Sequence, residues 1–147
     1  MYSTAYRITN DKEAASDVLQ ESFVKVFQHL NQFRMESSLG AWIKQIVVRT
    51  ALAHLKNLHF KPSDSDEIIT QEVVFSTAFC GEVLEKAILS LSEGYRTVFL
   101  LVMVEGYTHK EAAEMLGISE GTSKSQLHYA RKLLQKRIGC LEGCYGQ

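Results

Sequence analysis

The 147 residues hold one proline, Pro62, so almost nowhere is a helix interrupted by a missing amide donor. The nine glycines fall mostly where helices are expected to end. Cysteine is scarce and odd in number: Cys80, Cys140 and Cys144 form no closed disulfide framework, which makes a reducing cytoplasm the expected setting. Cys140 and Cys144 could be two metal ligands, but no further Cys or His lies near them, so free thiols are the simpler reading. The longest apolar run, Val98 to Val104, is far too short to cross a bilayer, so no membrane insertion is expected. Met1 to Arg7 lacks the charged-then-apolar order of a signal peptide. The five histidines, at 29, 54, 59, 109 and 128, have no metal spacing, and there is no glycine-rich phosphate loop. An enzyme needs convergent nucleophiles, bases or ligands. None is indicated, and no cofactor is expected.

What is present is apolar periodicity and an uneven charge. Hydrophobic residues make up 46% of the chain, too many for a disordered polymer. The net charge of −1 conceals a division. Residues 1–60 carry 7 Lys/Arg against 5 Asp/Glu, residues 61–95 carry 2 against 7, and residues 96–147 carry 7 against 5. Two mildly basic ends therefore flank an acidic middle, and for nucleic-acid binding this local distribution matters more than the total.

The first clear helix begins at Asp11, whose carboxylate can cap it. Ala14, Ala15, Val18, Leu19, Ser22, Phe23, Val26, Phe27 and Leu30 then recur at helical spacing as its expected buried side. After a break at residues 33–38, a second helix is expected from about Leu39 to Leu58, burying Trp42, Ile43, Ile46, Val47 and Leu55. Periodicity weakens from His59 to about Phe79, where Pro62-Ser63-Asp64-Ser65-Asp66-Glu67 reads as an acidic linker. Periodic structure resumes at Val83, and Ser92 can cap a helix ending at Gly106. Thr108 and Glu111 have capping-box spacing ahead of a short helix that ends at Gly117. Ser119 caps a last helix to about Ile138. The expected fold is all-α: two small helical bundles joined by a flexible acidic linker.

From Thr108 to Leu134, a short helix, a tight Gly117-Ile118-Ser119 turn and a longer basic helix form a helix-turn-helix pattern. In the last helix Ser123, Leu127, Ala130, Leu134 and Ile138 fall on one core-facing stripe. Thr122, Ser125, Tyr129, Lys132 and Lys136 lie opposite, with Gln126 and His128 at the edges. Residues 121–137 hold five basic side chains (Lys124, Arg131, Lys132, Lys136, Arg137) and no acidic one. Such cations displace counterions from phosphates, while hydroxyl and amide groups near the helix start can reach base edges.

The segments Leu91 to Phe99, Glu105 to Ala113 and Gly117 to Ser125 resemble the C-terminal domain of extracytoplasmic-function (ECF) sigma factors of the sigma-70 type. Asp17-Val18-Leu19-Gln20-Glu21-Ser22-Phe23 resembles the family segment that grips the polymerase clamp, and Phe33 to Ile43 the loop and helix that open the downstream promoter element. The resemblance implies a region 2-like domain over 1–58, a linker over 59–80 and a region 4-like domain over 81–147. It implies bacterial RNA polymerase core (clamp and flap) and promoter DNA as partners, and an anti-sigma factor as a further one. It assigns Asp17, Gln20 and Glu21 to the clamp, with Phe23 helping to pack the bundle. Arg34, Glu36, Ser37, Ser38, Trp42 and Arg49 go to the downstream element, Trp42 reading either as core or as a flank of the melting site. Thr122, Lys124, Ser125, Gln126, His128, Tyr129 and Lys132 go to the upstream element.

Some positions depart from the family pattern. Arg49 stands where an Asn is usual, Gln126 and Tyr129 where Arg is frequent, and Ser123 at a buried Val position. The pattern also places about one more helix ahead of Ala5-Tyr6-Arg7. Read from the residues alone, a stand-alone helix-turn-helix regulator with an N-terminal sensor or dimerisation module is the alternative, and a scaffold that has lost promoter recognition a second. The acidic segment carries its own prediction: limited proteolysis of the free protein should cut first between residues 59 and 80. Initial cleavage inside the second helix or the C-terminal bundle would contradict a two-domain chain.

Overall fold

The computed structural model describes residues 1–59 and 80–145, and the expected linker lies, but for its end residues, outside them. The chain divides into two compact units, Met1–Ser65 and Asp66–Gln147, and every regular element among the described residues is helical.

In the first unit three helices pack pairwise: α1 (Tyr2–Thr9), α2 (Lys12–His29) and α3 (Leu39–His59). Sequence periodicity does not announce the first of these, because Ala5, Ile8 and Thr9 are all it buries. Its corner with α2 takes two residues. Asn10 adopts a left-handed conformation (φ 55°) and its N–H bonds Tyr6 O at 2.7 Å. Asp11 then caps α2, its Oδ1 accepting from Ala14 N–H at 2.7 Å, as expected. The core between the helices includes Val18, Val26, Val47, Val48, Ala51, Leu52 and Leu55. Ser22 is also buried, its hydroxyl bonded to Val18 O at 2.6 Å.

The buried side of α2 is narrower than its apolar pattern suggests. Phe27 is 75% exposed, and Phe23 and Leu30 are also at the surface. Phe27 lies roughly 135° around the helix from the centre of the Ala15, Val18, Ser22 and Val26 stripe, too far to reach the core. In the first turns of α3, Trp42, Ile43 and Ile46 are only half-buried.

The second unit contains α4 (Cys80–Leu89), α5 (Glu93–Phe99), α6 (His109–Leu116) and α7 (Glu120–Tyr145), with α4, α5 and α6 all against α7. The helix α5 continues as a wider π turn, Leu100–Val104, which buries Leu100 and Leu101. The chain then reverses at Gly106, whose φ of +80° suits a residue without Cβ. Ser92 stands at the N-cap of α5 but its side chain makes no cap bond, contrary to expectation. Arg96 is buried, and its Nη1 donates to Leu91 O at 3.1 Å, tying α5 to the preceding turn. Burial pushes the Arg96 guanidinium below its usual pKa, and the charge of Glu93 opposes that shift. Arg137 Nη1 donates to Ser90 Oγ, holding α7 to the α4–α5 turn. The last helix runs past Ile138 to Tyr145, because Gly139 weakens a helix interior by only about 1 kcal/mol and does not break its hydrogen bonds.

The capping box of α6 forms as its spacing predicts. Glu111 N–H donates to Thr108 Oγ1 at 3.2 Å, and Thr108 N–H to Glu111 Oε2 at 2.8 Å. That backbone donor, then the Thr108 hydroxyl, holds the Glu111 carboxyl below its ordinary pKa of 4.5. A depressed carboxylate pKa stabilises the fold above the unfolded value and is lost as pH falls through the folded one. The second unit should therefore melt earlier as pH drops below about 4.5, and Glu111→Gln should flatten that dependence in thermal melts across pH. Thr108→Ala should destabilise the same unit by about 1 kcal/mol at neutral pH.

Candidate nucleic-acid interface

The helix-turn-helix is built from α6, a tight turn and α7. Gly117 ends α6 at φ 69°, the left-handed conformation glycine takes most cheaply. Ser119 starts α7, its Oγ accepting from Thr122 N–H at 3.1 Å. Ser123, Leu127, Ala130 and Leu134 are buried, while Ile138 is half-buried at the end of the same stripe. Burial of one side commits the opposite side to solvent.

Ser125, His128, Tyr129, Lys132 and Lys136 are all exposed on that outer side. Tyr129 is 53% exposed, its ring 6.3 Å from that of Tyr95 and 5.7 Å from the imidazole of His128, edge-on to the latter. Ser125 donates to Thr122 O at 3.0 Å and keeps its lone pairs for an incoming donor. Three expected contact residues are partly engaged within the protein. Thr122 is half-buried with its hydroxyl 2.8 Å from that of Ser119. Gln126 is half-buried over Gly94, its Nε2 3.4 Å from where a Cβ on that glycine would stand. Lys124 pairs with Glu120 at 2.7 Å, which lowers the Glu120 pKa. That ion pair is exposed and water-screened, so phosphate can displace it. Arg131 donates to Met103 Sδ at 3.0 Å at the rim of this surface.

In the first unit the loop between α2 and α3 presents Arg34, Glu36, Ser37 and Ser38, all exposed. Ser38 Oγ accepts from Ala41 N–H at 3.2 Å and so caps α3. The half-buried Trp42 packs on Phe33, with ring centroids 5.3 Å apart, and forms the floor of the loop. Arg49 is exposed two turns further along the same side of α3. Met35, which no sequence pattern announces, is 84% exposed and held at φ 57°. A non-glycine residue in that region costs about 1 kcal/mol.

On α2 the side chains of Asp17, Gln20 and Glu21 are exposed. Glu21 pairs with Lys25 at 2.7 Å, and Lys25 also donates to the buried Thr50 hydroxyl at 3.3 Å. Exposed Val24 and Phe27 continue this face, with Phe23 beside it. The helical spacing of residues 17, 20, 24 and 27 contains that signal, but the phenylalanines read as core residues.

Among the described residues, no three His, Cys, Asp or Glu side chains gather as a metal site would require, and no helix is long and apolar enough to cross a membrane. Cys140 and Cys144 have side chains outside the described set. The fold and its exposed cationic helix define a helix-turn-helix DNA-binding protein with a separate three-helix module.

Residues 1–59 match the family pattern "Sigma-70 region 2", and residues 81–134 match "Sigma-70, region 4". The chain is 27% identical over 148 residues to RNA polymerase sigma-H factor of Pseudomonas aeruginosa, covering 90% of this chain and 77% of that one. It is 26% identical over 144 residues to ECF RNA polymerase sigma factor SigE of Mycolicibacterium smegmatis, covering 92% of this chain and 56% of that one. The sigma factor RpoE from Bartonella quintana, solved with the anti-sigma factor NepR, superposes with a TM-score of 0.64 at 25% identity, covering 94% of this chain and 89% of that one. The chain belongs to the sigma-70 family, among its ECF members, which are DNA-binding factors of transcription initiation.

Proposed function

We propose that this sigma factor divides its work between the two units. The single observation that carries the reading is one chain that offers two unlike surfaces: a hydroxyl, aromatic and lysine face on α7, and a mixed acidic and apolar face on α2. In this reading the second unit lays α7 in the major groove of the upstream element. Lys132 and Lys136, with Lys124, meet phosphates, and Ser125, Gln126, His128 and Tyr129, with Thr122 behind them, face base edges. The first unit docks on the polymerase clamp through Asp17, Gln20 and Glu21, with Val24 and Phe27 supplying desolvated area. The loop from Arg34 to Ser38, floored by Trp42, receives a base extruded from the downstream element. Arg49 stands near the melted strand as a phosphate contact. The chain acts in the cytoplasm and without catalysis of its own, the chemistry of RNA synthesis belonging to the polymerase. An anti-sigma factor would act by covering these same surfaces, and the structurally similar RpoE of Bartonella quintana forms a complex with one, NepR.

Two experiments test the division. The double substitution Gln20→Ala with Glu21→Ala should weaken binding to core polymerase while leaving helicity unchanged, as read by pull-down and circular dichroism. Undiminished binding would remove α2 from the clamp contact.

On promoter DNA, with the full chain bound to core polymerase, Lys132→Ala should weaken all sequences alike and flatten the salt dependence by about one unit of slope. Gln126→Ala should cost about 1–3 kcal/mol on the preferred upstream element and much less on scrambled DNA. Equal losses on both would assign Gln126 to packing over Gly94, and base reading would pass to Ser125, His128 and Tyr129.

A further inference from the structure

Within the stripe that α7 buries, one residue is out of character. Ser123 is 0% exposed, at the helix start, on the side where Leu127, Ala130 and Leu134 are apolar. A hydroxyl taken out of water is unfavourable unless bonded. Its partner lies across the turn, in another helix: Nδ1 of His109, the first residue of α6, lies 2.9 Å from Ser123 Oγ. A serine hydroxyl can donate or accept, so the contact holds whichever imidazole tautomer is present. His109 itself is half-buried, and the buried residues of α6 are Ala112 and Ala113. Alanine methyls exclude water but are short and give the contact little direction. A hydrogen bond between a planar ring and a buried hydroxyl is directional. It acts within a few residues of Ser125, Gln126 and His128, the side chains proposed to face base edges.

We propose that the His109–Ser123 hydrogen bond is a positioning contact that sets the angle of α7 in the groove, and so governs discrimination between promoter sequences more than overall DNA affinity. The proposal rests on the upstream-reading role of α7. His109 and Ser123 are positioning residues; neither is required to touch a base.

The test uses the full chain bound to RNA polymerase core. The parent first selects its preferred upstream element from a pool of randomised duplexes, and discrimination is the ratio of affinities for that element and a scrambled one. His109→Phe keeps a ring but removes Nδ1, and Ser123→Ala removes the hydroxyl. Each should lower the ratio by about fivefold, the worth of one net hydrogen bond. The double variant should lose little more than either single, because both remove the same contact. His109→Asn places a polar atom near the position of Nδ1 and should restore the ratio to within about twofold of the parent. Affinity for scrambled DNA and its salt slope should not move, which separates positioning from a purely structural role.

A parent that discriminates beside His109→Phe and Ser123→Ala variants that discriminate equally would overturn the proposal. Parallel loss on both duplexes together with a lower melting temperature would overturn it in favour of simple stabilisation. A parent with no preference for any element would remove the upstream-reading role itself, and the proposal with it.

Discussion

The second unit depends on the burial of one stripe of α7. Ser123, Leu127, Ala130 and Leu134 recur at intervals of four, three and four, close enough to the helical repeat to stay on one line for three turns. Each buried leucine contributes about 1.5–3 kcal/mol, so rotating α7 by even one residue would expose both. The other three helices of the unit all pack against this helix. Polar contacts then fix what apolar burial leaves loose. Arg137 reaches Ser90 near one end, and Arg96, buried beside the α4–α5 turn, bonds Leu91 O. The outward face is therefore a consequence of core packing, although none of its residues contributes much to that packing.

In the first unit the constraint is a narrow interior. Three helices close over a core that mixes Ala5, Ala15 and Ala51 with Ile8, Leu52, Leu55 and several valines, and among the described residues no aromatic one is fully inside it. Val24 and Phe27 remain at the surface because they point away from the buried stripe of α2, and Met35 because it stands in the loop before α3. A module this small has room for few bulky residues in its interior, and the excess is available for partners.

Much of this was legible in the residues, and the reasons differ by element. The C-terminal helices announce themselves through local chemistry. The Thr108 and Glu111 box, the left-handed Gly117 and the Ser119 cap each act within three residues, so spacing alone reveals them. The outer side of α7 followed from its inner stripe. Elsewhere tertiary context decides. Helix α1 has only Ala5, Ile8 and Thr9 to mark it and exists because α2 and α3 receive them. Phe23 and Phe27 are as hydrophobic as any core residue, but they lie off the narrow stripe of α2 that faces α1 and α3. Ser92 had the right residue type and position for a cap, but its side chain does not make the bond. The engagement of Gln126 with Gly94, and of Ser123 with His109, joins residues 32 and 14 positions apart, which no local pattern encodes.

The separation of inner stripe from outer face on α7 bears on how such a protein diversifies. Ser125, His128 and Lys132 can be exchanged without disturbing the leucines behind them, so in the proposed reading new sequence preferences can arise by point substitution while the scaffold persists. Length is another matter. One residue inserted into Gly117-Ile118-Ser119 would shift α7 against α6 and carry the Ser123 hydroxyl away from His109. Drift in this segment should therefore run through side-chain identity and almost never through insertion or deletion, and libraries built to retarget the factor should hold the turn at fixed length.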